Sequence, residues 1–134
     1  MKTYVLDASA LFAFLQRKGD ALKVNELVKE AIRARSQVLM SAVNYGEVYG
    51  TILREDGPEQ ARVALDVIAP LPIEVLDVTP NRARQAADLK VKYKLYFADS
   101  FAASLALEHK ATLVTSHTDF RRLGHSFPML WLKA

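Results

Sequence analysis

The chain has 134 residues, of which 51% are hydrophobic and 25% are charged, and its formal net charge at pH 7 is +3. This length and composition predict one globular domain over residues 1–134, and no apolar run is long enough to span a membrane. The lack of cysteine excludes disulfides, thiolate zinc sites and thiol nucleophiles, so any chemistry must come from carboxylates, hydroxyls, histidines or bases.

The N-terminal residues also bear on the location of the protein. They lack a basic segment followed by a long apolar core, which is the pattern of a secretory signal, and Asp7 interrupts the short apolar run that is present. We therefore expect an intracellular, cytoplasmic protein. The small positive charge permits a polyanionic partner without requiring one.

The first predicted strand covers residues 2–6, and a short Ala/Leu/Phe-rich helix is predicted at 8–15. Asp7 stands between them. An Asp in this place lies at the carboxyl end of the first strand of a parallel sheet, the edge at which open α/β folds assemble their sites. The alternative is that Asp7 only caps the helix by accepting hydrogen bonds from its first turn.

Asp20 is predicted to cap a second helix, which is amphipathic and structural, and residues 37–40 are predicted to form the second strand. Ser41 is a plausible N-cap for a third helix that runs to about Glu55. The apolar stripe of this helix consists of Tyr45, Val48, Tyr49 and Ile52.

Glu47 lies off that stripe, beside Gly46 and Gly50. The two glycines are four residues apart and leave one side of the helix without side chains, so another molecule can approach closely there. The alternative interpretation makes Glu47 an ordinary solvated residue and the glycines a packing contact.

Pro58 suits the first position of a fourth helix, which ends before Pro70, and residues 73–76 are predicted to form the third strand. Thr79 and Pro80 then open a helix that continues to about Tyr93. Its predicted inward residues are Ala83, Ala86, Ala87 and Leu89. Its basic residues are Arg82, Arg84, Lys90, Lys92 and Lys94, which form either a solvated face or a track for phosphates.

A helix beginning near Tyr96 is apolar on nearly all sides, so we expect it to be buried. Asp99 lies in its first turn, where the helix dipole alone would favour an acid. Residues 112–115 are predicted to form the fourth strand, which leads into Asp119. The last predicted strand covers 127–132, and its proline either places it at an edge of the sheet or makes it begin there.

The alternation of strands and helices predicts a three-layer α/β/α fold with a mainly parallel central sheet of four to five strands. Asp7 and Asp119 follow strands, while Glu47 and Asp99 lie near the starts of helices that begin at the same edge. We therefore expect the four carboxylates to converge. Because such a cluster is self-repelling, it is best stabilised by a hard divalent cation such as Mg²⁺ or Mn²⁺. Such ions activate water and stabilise a phosphodiester transition state.

Four segments of the chain carry a family resemblance. They are Val5–Leu11, the helix start at Ser41–Glu47, the helix start at Ala98–Ser100, and Leu113–Phe120. Together they resemble PIN-domain proteins, and more narrowly the VapC-type toxin ribonucleases of toxin–antitoxin modules. The resemblance implies a Mg²⁺-dependent endoribonuclease, usually dimeric, that is inhibited by a cognate antitoxin. Carried over by position, Asp7, Glu47 and Asp99 match the three principal acidic residues of that family.

The fourth acidic position departs from the family pattern, because His117 stands where many members have a first Asp. Asp119 retains the second Asp and is our candidate for the fourth metal ligand. We interpret His117 as a loop residue that contacts backbone or solvent, although direct ligation would favour Mn²⁺ over Mg²⁺. Ser9 and Thr115 carry hydroxyls that either orient ligands and the attacking water or merely cap helices.

Three functions remain as hypotheses. The first is a metal-dependent ribonuclease that acts as a toxin, and the second is a PIN-like module that binds nucleic acid or a partner but cleaves weakly because of His117. A receiver-type signalling domain is disfavoured, because neither its adjacent acidic pair nor its late Lys is present. We also expect a homodimer formed through an aromatic-rich turn, which consists of Tyr93, Leu95, Tyr96 and Phe97.

Overall fold

A computed structural model describes residues 1–134, in which five short runs form one sheet. The strands are β1 (Lys2–Leu6), β2 (Ser36–Ser41), β3 (Ile73–Leu76), β4 (Thr112–Thr115) and β5 (Met129–Trp131). Their order is β3-β2-β1-β4-β5, and every neighbouring pair is parallel. The predicted parallel sheet is confirmed, and its last strand is an edge strand as Pro128 indicated.

Helices connect the strands at nearly the predicted bounds. They are α1 (Ala8–Gln16), α2 (Ala21–Ile32), α3 (Ala42–Asp56), α4 (Pro58–Ile68), α5 (Pro80–Tyr93) and α6 (Phe97–Glu108). Ser41 caps α3 by accepting a hydrogen bond from the Val43 backbone N–H, and Thr79 caps α5 through the Arg82 N–H. A 3₁₀ segment at Thr118–Ser126, kinked at Gly124, was not predicted.

Both faces of the sheet are covered, because successive residues of each strand point to opposite sides. On β1, Val5 packs into a core with buried residues of α6, whereas Leu6 packs into a separate core with Ala10 and Val24 of α1 and α2. A third cluster joins Leu11 to α3 and α4. The expected three-layer α/β/α arrangement is therefore confirmed, and α6 is buried along most of its length.

The strand order places a crevice between β1 and β4. From β1 the chain moves outward to β2 and β3 and then returns to place β4 on the other side of β1, which is the topological switch point where α/β sheets bind ligands. In this pairing Leu6 lies opposite Val114. Asp7 and Thr115 each follow that pair by one residue, so they emerge side by side on strands that lie about 4.8 Å apart.

Three local predictions are wrong. Asp20 precedes α2 but makes no side-chain capping bond, because its carboxylate accepts the Lys133 backbone N–H at 2.8 Å instead. Ala87 is exposed rather than inward. Arg82 does not belong to the free basic face of α5, since its guanidinium forms a two-point pair with Glu108 of α6 at 3.0 and 3.1 Å.

The aromatic-rich turn before α6 is only partly exposed. Leu95 is buried, and Tyr93 packs edge to face against Phe127 with ring centroids 6.2 Å apart. Tyr96 and Phe97 remain exposed, at 67% and 58%. The surface available to a second copy is therefore smaller than the sequence suggested. None of the helices combines the length and the apolar character that crossing a membrane requires.

Candidate active site

Asp7 lies at the bottom of the crevice, with only 2% of its surface exposed. Its Oδ1 accepts hydrogen bonds from the Ala10 N–H at 2.9 Å and from the Ser9 hydroxyl at 2.7 Å, and its Oδ2 accepts one from the Thr115 hydroxyl. Asp7 is thus the N-cap of α1 and a buried carboxylate of the crevice at the same time, so the two interpretations of this residue are compatible.

The hydroxyls of Ser9 and Thr115 join Asp7 to the loop after β4. Ser9 Oγ accepts the Ser116 N–H at 2.9 Å, and Thr115 Oγ1 accepts the His117 N–H at 2.9 Å. Because each hydroxyl accepts from the loop and donates to Asp7, the network fixes both the carboxylate and the loop. Of the two roles left open by the sequence, orienting the acid is the one that these contacts support.

Burial raises the pKa of Asp7 to about 6, against the opposing effect of its hydrogen bonds, and the charge of Asp99 adds to the increase. The pKa of Asp99 is also raised, first by burial and further by Asp119, while His117 lowers it. Partial desolvation and the charge of Asp99 raise the pKa of Glu47 as well. Asp99 is therefore coupled by charge to each of the other three carboxylates.

His117 contacts two of these carboxylates. Its Nδ1 lies 2.7 Å from Asp99 Oδ2 and its Nε2 lies 3.5 Å from Asp119 Oδ2, while its ring stacks on Tyr96 with centroids 5.9 Å apart. The interpretation of His117 as a residue whose side chain meets only backbone or solvent is therefore wrong. The shorter contact lacks hydrogen-bond geometry, so Asp99 Oδ2 is buried without a hydrogen-bond partner.

Glu47 and Asp119 form the outer part of the group. Glu47 is exposed on α3, and Asp119, in the first turn of the 3₁₀ segment, is partly exposed. Asp119 Oδ2 also lies 3.8 Å from the guanidinium of Arg122, which donates to the Lys94 carbonyl. These two carboxylates lie nearer the surface than Asp7 and accept no hydrogen bond from a backbone N–H, whereas Asp7 accepts one from Ala10.

The sequence interpretation missed Asn44, which is completely buried. Its amide donates to the Ala98 carbonyl at 3.0 Å and to Glu47 Oε1 at 3.4 Å, so it links α3 to the residue before Asp99. The sequence did indicate the contact between Asn44 and Glu47, because Asn44 precedes Glu47 by three residues and therefore shares its helix face. A polar residue at a buried helix position points to such a contact.

Gly46 and Gly50 do not make a packing contact, so that alternative is wrong. A Cβ atom built on either glycine would have no neighbouring heavy atom within 4 Å. The side of α3 next to Glu47 is open to solvent, as the functional interpretation required.

The donor set fits a hard divalent cation in its chemistry. It offers carboxylate oxygens, among them the buried Asp99 Oδ2, which has His117 Nδ1 at 2.7 Å but no hydrogen-bond partner, and the raised pKa values reflect burial and mutual repulsion that a cation would relieve. As the side chains stand, no three His, Asp or Glu residues are arranged to hold a metal ion. The structure thus brings the acids to one crevice, with His117 against Asp99.

Comparison with known proteins gives a consistent result. A family model described as "PIN domain" matches residues 4–126. Ribonuclease VapC42 of Mycobacterium tuberculosis is 28% identical over an aligned region that covers 87% of this chain and 96% of that protein.

Two solved structures show the same fold. VapBC2 from Rickettsia felis, bound to a DNA fragment from its promoter, has a TM-score of 0.77 at 19% identity and covers 98% of this chain and 99% of the other. VapC20 from Mycobacterium tuberculosis, described as a sarcin-ricin loop cleaving toxin, has a TM-score of 0.70 at 17% identity and covers 90% and 95%.

Proposed function

The chain belongs to the PIN-domain family, and we propose that it is a metal-dependent endoribonuclease that acts as the toxin of a toxin–antitoxin pair. The observation that carries this proposal is the pair of buried carboxylates, Asp7 and Asp99, in the crevice at the carboxyl edge of the sheet. The ribonuclease name of the relative from Mycobacterium tuberculosis supports the choice of RNA as substrate. Residues 1–134 then form a single nuclease domain, which would act in the cytoplasm.

In this proposal Asp7, Glu47 and Asp99 hold the metal ion, and Asp119 completes the site, often through water. Mg²⁺ is the expected ion and Mn²⁺ the alternative, because carboxylate oxygens suit both. A divalent ion bound there would activate a water molecule and neutralise the charge that develops on the phosphodiester.

The surrounding residues position these acids. Ser9 and Thr115 hold the Asp7 carboxylate from both sides, and Asn44 restrains Glu47 while bonding to the chain next to Asp99. The open side of α3 at Gly46 and Gly50 leaves room for the substrate beside Glu47. The role of these groups is to keep the charged oxygens in one orientation, which limits the reorganisation needed in the reaction.

A cleavage assay tests the proposal. Purified protein, freed of any bound antitoxin, is incubated with RNA in Mg²⁺, in Mn²⁺ and in EDTA, with Asp99→Asn as the matched control. We expect cleavage only with a divalent ion and only by the wild type. Cleavage that persists in EDTA, or that the variant retains, would come from another nuclease or another site.

A second function is favoured by one observation. His117 lies against Asp99, and the acids are not arranged as a ready metal site. A PIN-like module that binds nucleic acid or a partner but cleaves weakly is consistent with this arrangement. It predicts RNA binding without appreciable cleavage in either metal, so the same assay separates the two functions.

We further propose a cognate antitoxin as protein partner, since related structures are toxin–antitoxin complexes. A groove of about 840 Å³ among α1 to α4 is the candidate surface, because it is largely apolar and open to solvent. Its apolar residues include Phe12, Leu15, Leu22, Ile52, Val63 and Val67. An acidic substitution at exposed Leu22 should then abolish co-purification of the antitoxin without reducing cleavage.

The homodimer remains a proposal, now confined to a smaller surface. Tyr96 and Phe97 are the exposed aromatic residues that a second copy would cover. Sedimentation at high micromolar concentration should show a dimer in the wild type and a monomer after Phe97→Glu. A monomeric wild type would remove this part of the proposal.

A further inference from the structure

A second groove, of about 380 Å³, lies between α1 and α3; seven of the ten residues that line it are polar or charged, although most of the surface that they present is apolar. That volume falls within the roughly 300–1,000 Å³ of small-molecule sites. The residues that line it are Ser9, Phe12, Ala13, Gln16, Lys18, Thr51, Glu55, Ser116, Lys133 and Ala134. The groove has hydroxyl groups at one end and two lysines at the other.

The hydroxyl end adjoins the candidate active site. Ser9, in the wall of the groove, donates to Asp7 Oδ1 at 2.7 Å. On the opposite wall Thr51 and Glu55 continue the four-residue spacing that begins at Glu47, so the three side chains lie along one face of α3. The groove therefore leads directly away from the carboxylates.

The lysine end is built by a contact between distant parts of the chain. Asp20 N–H donates to the Lys133 carbonyl at 3.2 Å, and Lys133 N–H donates to the Asp20 carboxylate at 2.8 Å. The carbonyl of Lys133 passes so close to Gly19 that a Cβ atom there would lie 2.2 Å from its oxygen. This contact fixes Lys133 beside the loop that carries Lys18, and neither ammonium group forms an ion pair.

The charges of the groove favour an anion at this end. Among the side chains of its lining Glu55 is the one acid, and it is already paired with Arg54 at 3.6 Å. Two free ammonium groups remain at the outer end, and the hydroxyls of Thr51 and Ser116 can bond to a ligand, whereas the Ser9 hydroxyl is already bonded to Asp7 and to the Ser116 N–H. A polyanion that carries many hydroxyl and phosphate oxygens, and whose cleaved bond lies in the active site, fits this distribution of charges and hydroxyl groups.

We propose that this groove binds the sugar–phosphate backbone of single-stranded RNA next to the scissile bond, with Lys18 and Lys133 contacting its phosphates. The proposal rests on the proposed ribonuclease function, because the carboxylates at the inner end supply the cleavage. The rival phosphate track is the basic face of α5. Its exposed lysines, such as Lys90 and Lys92, line neither this groove nor the apolar one.

The test measures binding separately from cleavage. Fluorescence anisotropy of a labelled single-stranded RNA is recorded in EDTA with the Asp99→Asn protein, which prevents cleavage. In this background Lys18→Ala/Lys133→Ala is compared with the charge-matched pair Lys90→Ala/Lys92→Ala. All four positions are exposed, so all variants should fold, which circular dichroism verifies.

We expect the Lys18→Ala/Lys133→Ala variant to raise Kd about tenfold. It should also reduce the magnitude of the slope of log K against log salt by about 1.4, because each phosphate contact to a single strand contributes about 0.7. The α5 pair should bind like the parent, and Lys18→Arg/Lys133→Arg should restore binding. The proposal is overturned if the groove pair binds like the parent, if the α5 pair is weakened more, or if the parent does not bind RNA.

A second readout uses the wild-type background in a single-turnover cleavage assay. The Lys18→Ala/Lys133→Ala variant should need about tenfold more RNA to reach its half-maximal rate. Its rate at saturating RNA should stay within about twofold of the wild-type rate. A loss confined to the saturating rate would contradict a binding role. If the wild type cleaves no RNA, the ribonuclease proposal fails, whereas the anisotropy result still decides whether the groove binds RNA.

Discussion

The four acids of the crevice form two pairs that differ in how the fold holds them. Asp7 and Asp99 are buried, at 2% and 8% exposure, and burial raises the pKa of each. Glu47 is exposed and Asp119 partly so, and they are restrained only by neighbouring side chains. The inner pair therefore destabilises the metal-free protein when it is ionised, and Glu47 shares this effect through its partial desolvation.

This difference suggests that the inner and outer pairs have different roles. A buried carboxylate that is costly to ionise is retained where its charge is needed, and perturbed pKa values mark such sites. The surface acids can adjust around a ligand without disturbing the core. The following predictions test whether position in the crevice determines each acid's contribution to activity and to stability.

The largest expected effect is on cleavage. Asp7→Asn, Asp99→Asn and Glu47→Gln should each lower the single-turnover rate on the order of 10³-fold, about 4 kcal/mol of barrier, because each removes a metal-directed charge without changing shape. Glu47 would thus act with the inner pair in catalysis despite its exposure. Wild-type rates in two of these variants would show that the acidic site is wrong.

The effects of these substitutions on stability should differ from their effects on cleavage. In metal-free buffer at pH 7, Asp7→Asn should raise the free energy of unfolding by up to about 3 kcal/mol, because the ionised, buried carboxylate is removed. Glu47→Gln is the comparison and should raise it less, because Glu47 is only partly desolvated. In the wild type, protonated Asp7 stabilises the native state relative to the unfolded state. This contribution is fully present below about pH 3.8 and is lost as the pH rises through the native pKa of about 6.

The difference in the free energy of unfolding between the wild type and Asp7→Asn should therefore disappear as the pH falls from about 6 towards about 3.8. Urea unfolding at several pH values measures it. A gap that does not depend on pH would mean that Asp7 is not the titrating group.

Divalent ions should stabilise the protein by filling the crevice. Mg²⁺ or Mn²⁺ at about 100 times its Kd should add about 2.7 kcal/mol to the free energy of unfolding, and chelator should reverse this. Asp99→Asn should lose most of the increase, since Asp99 interacts with all the other acids. An unchanged melting curve at millimolar metal would argue for a vestigial site.

Asn44 joins Glu47 to the backbone next to Asp99, so its loss should affect both pairs. Asn44→Ala leaves the Ala98 carbonyl without its donor and frees Glu47, which should cost about 1–3 kcal/mol of stability and lower cleavage about 10- to 100-fold. The metal-induced rise in melting temperature should also shrink. Asn81→Ala, at an exposed position, is the matched control and should alter none of these.

The smallest effect is expected at the fourth position. Asp119→Asn should lower activity about tenfold with every metal, as expected for an outer group, whereas His117→Ala should change little. If His117 binds the ion instead, its loss should reduce Mn²⁺-supported activity more than Mg²⁺-supported activity. Full activity of Asp119→Asn in both metals would assign the fourth position to His117 or to water.

Much of this arrangement follows from the sequence by itself. The strand at 2–6 ends at Asp7 because an apolar run gives way to a capping residue, and Pro58 and Pro80 mark helix starts. The alternation of strands and helices then indicates a parallel sheet and brings Asp7, Glu47, Asp99 and Asp119 to one edge. These signals are local, so a single sequence contains them.

Only the tertiary structure decided the remaining features, because each depends on which distant segments become neighbours. The strand order places Thr115 beside Asp7, and the packing of α3 on α6 gives buried Asn44 its partner at Ala98. Asp20 does not cap α2, because its carboxylate accepts the backbone N–H of Lys133, a residue far along the chain. Periodicity shows which face of a helix is apolar, but the partners of its polar residues are set by long-range packing.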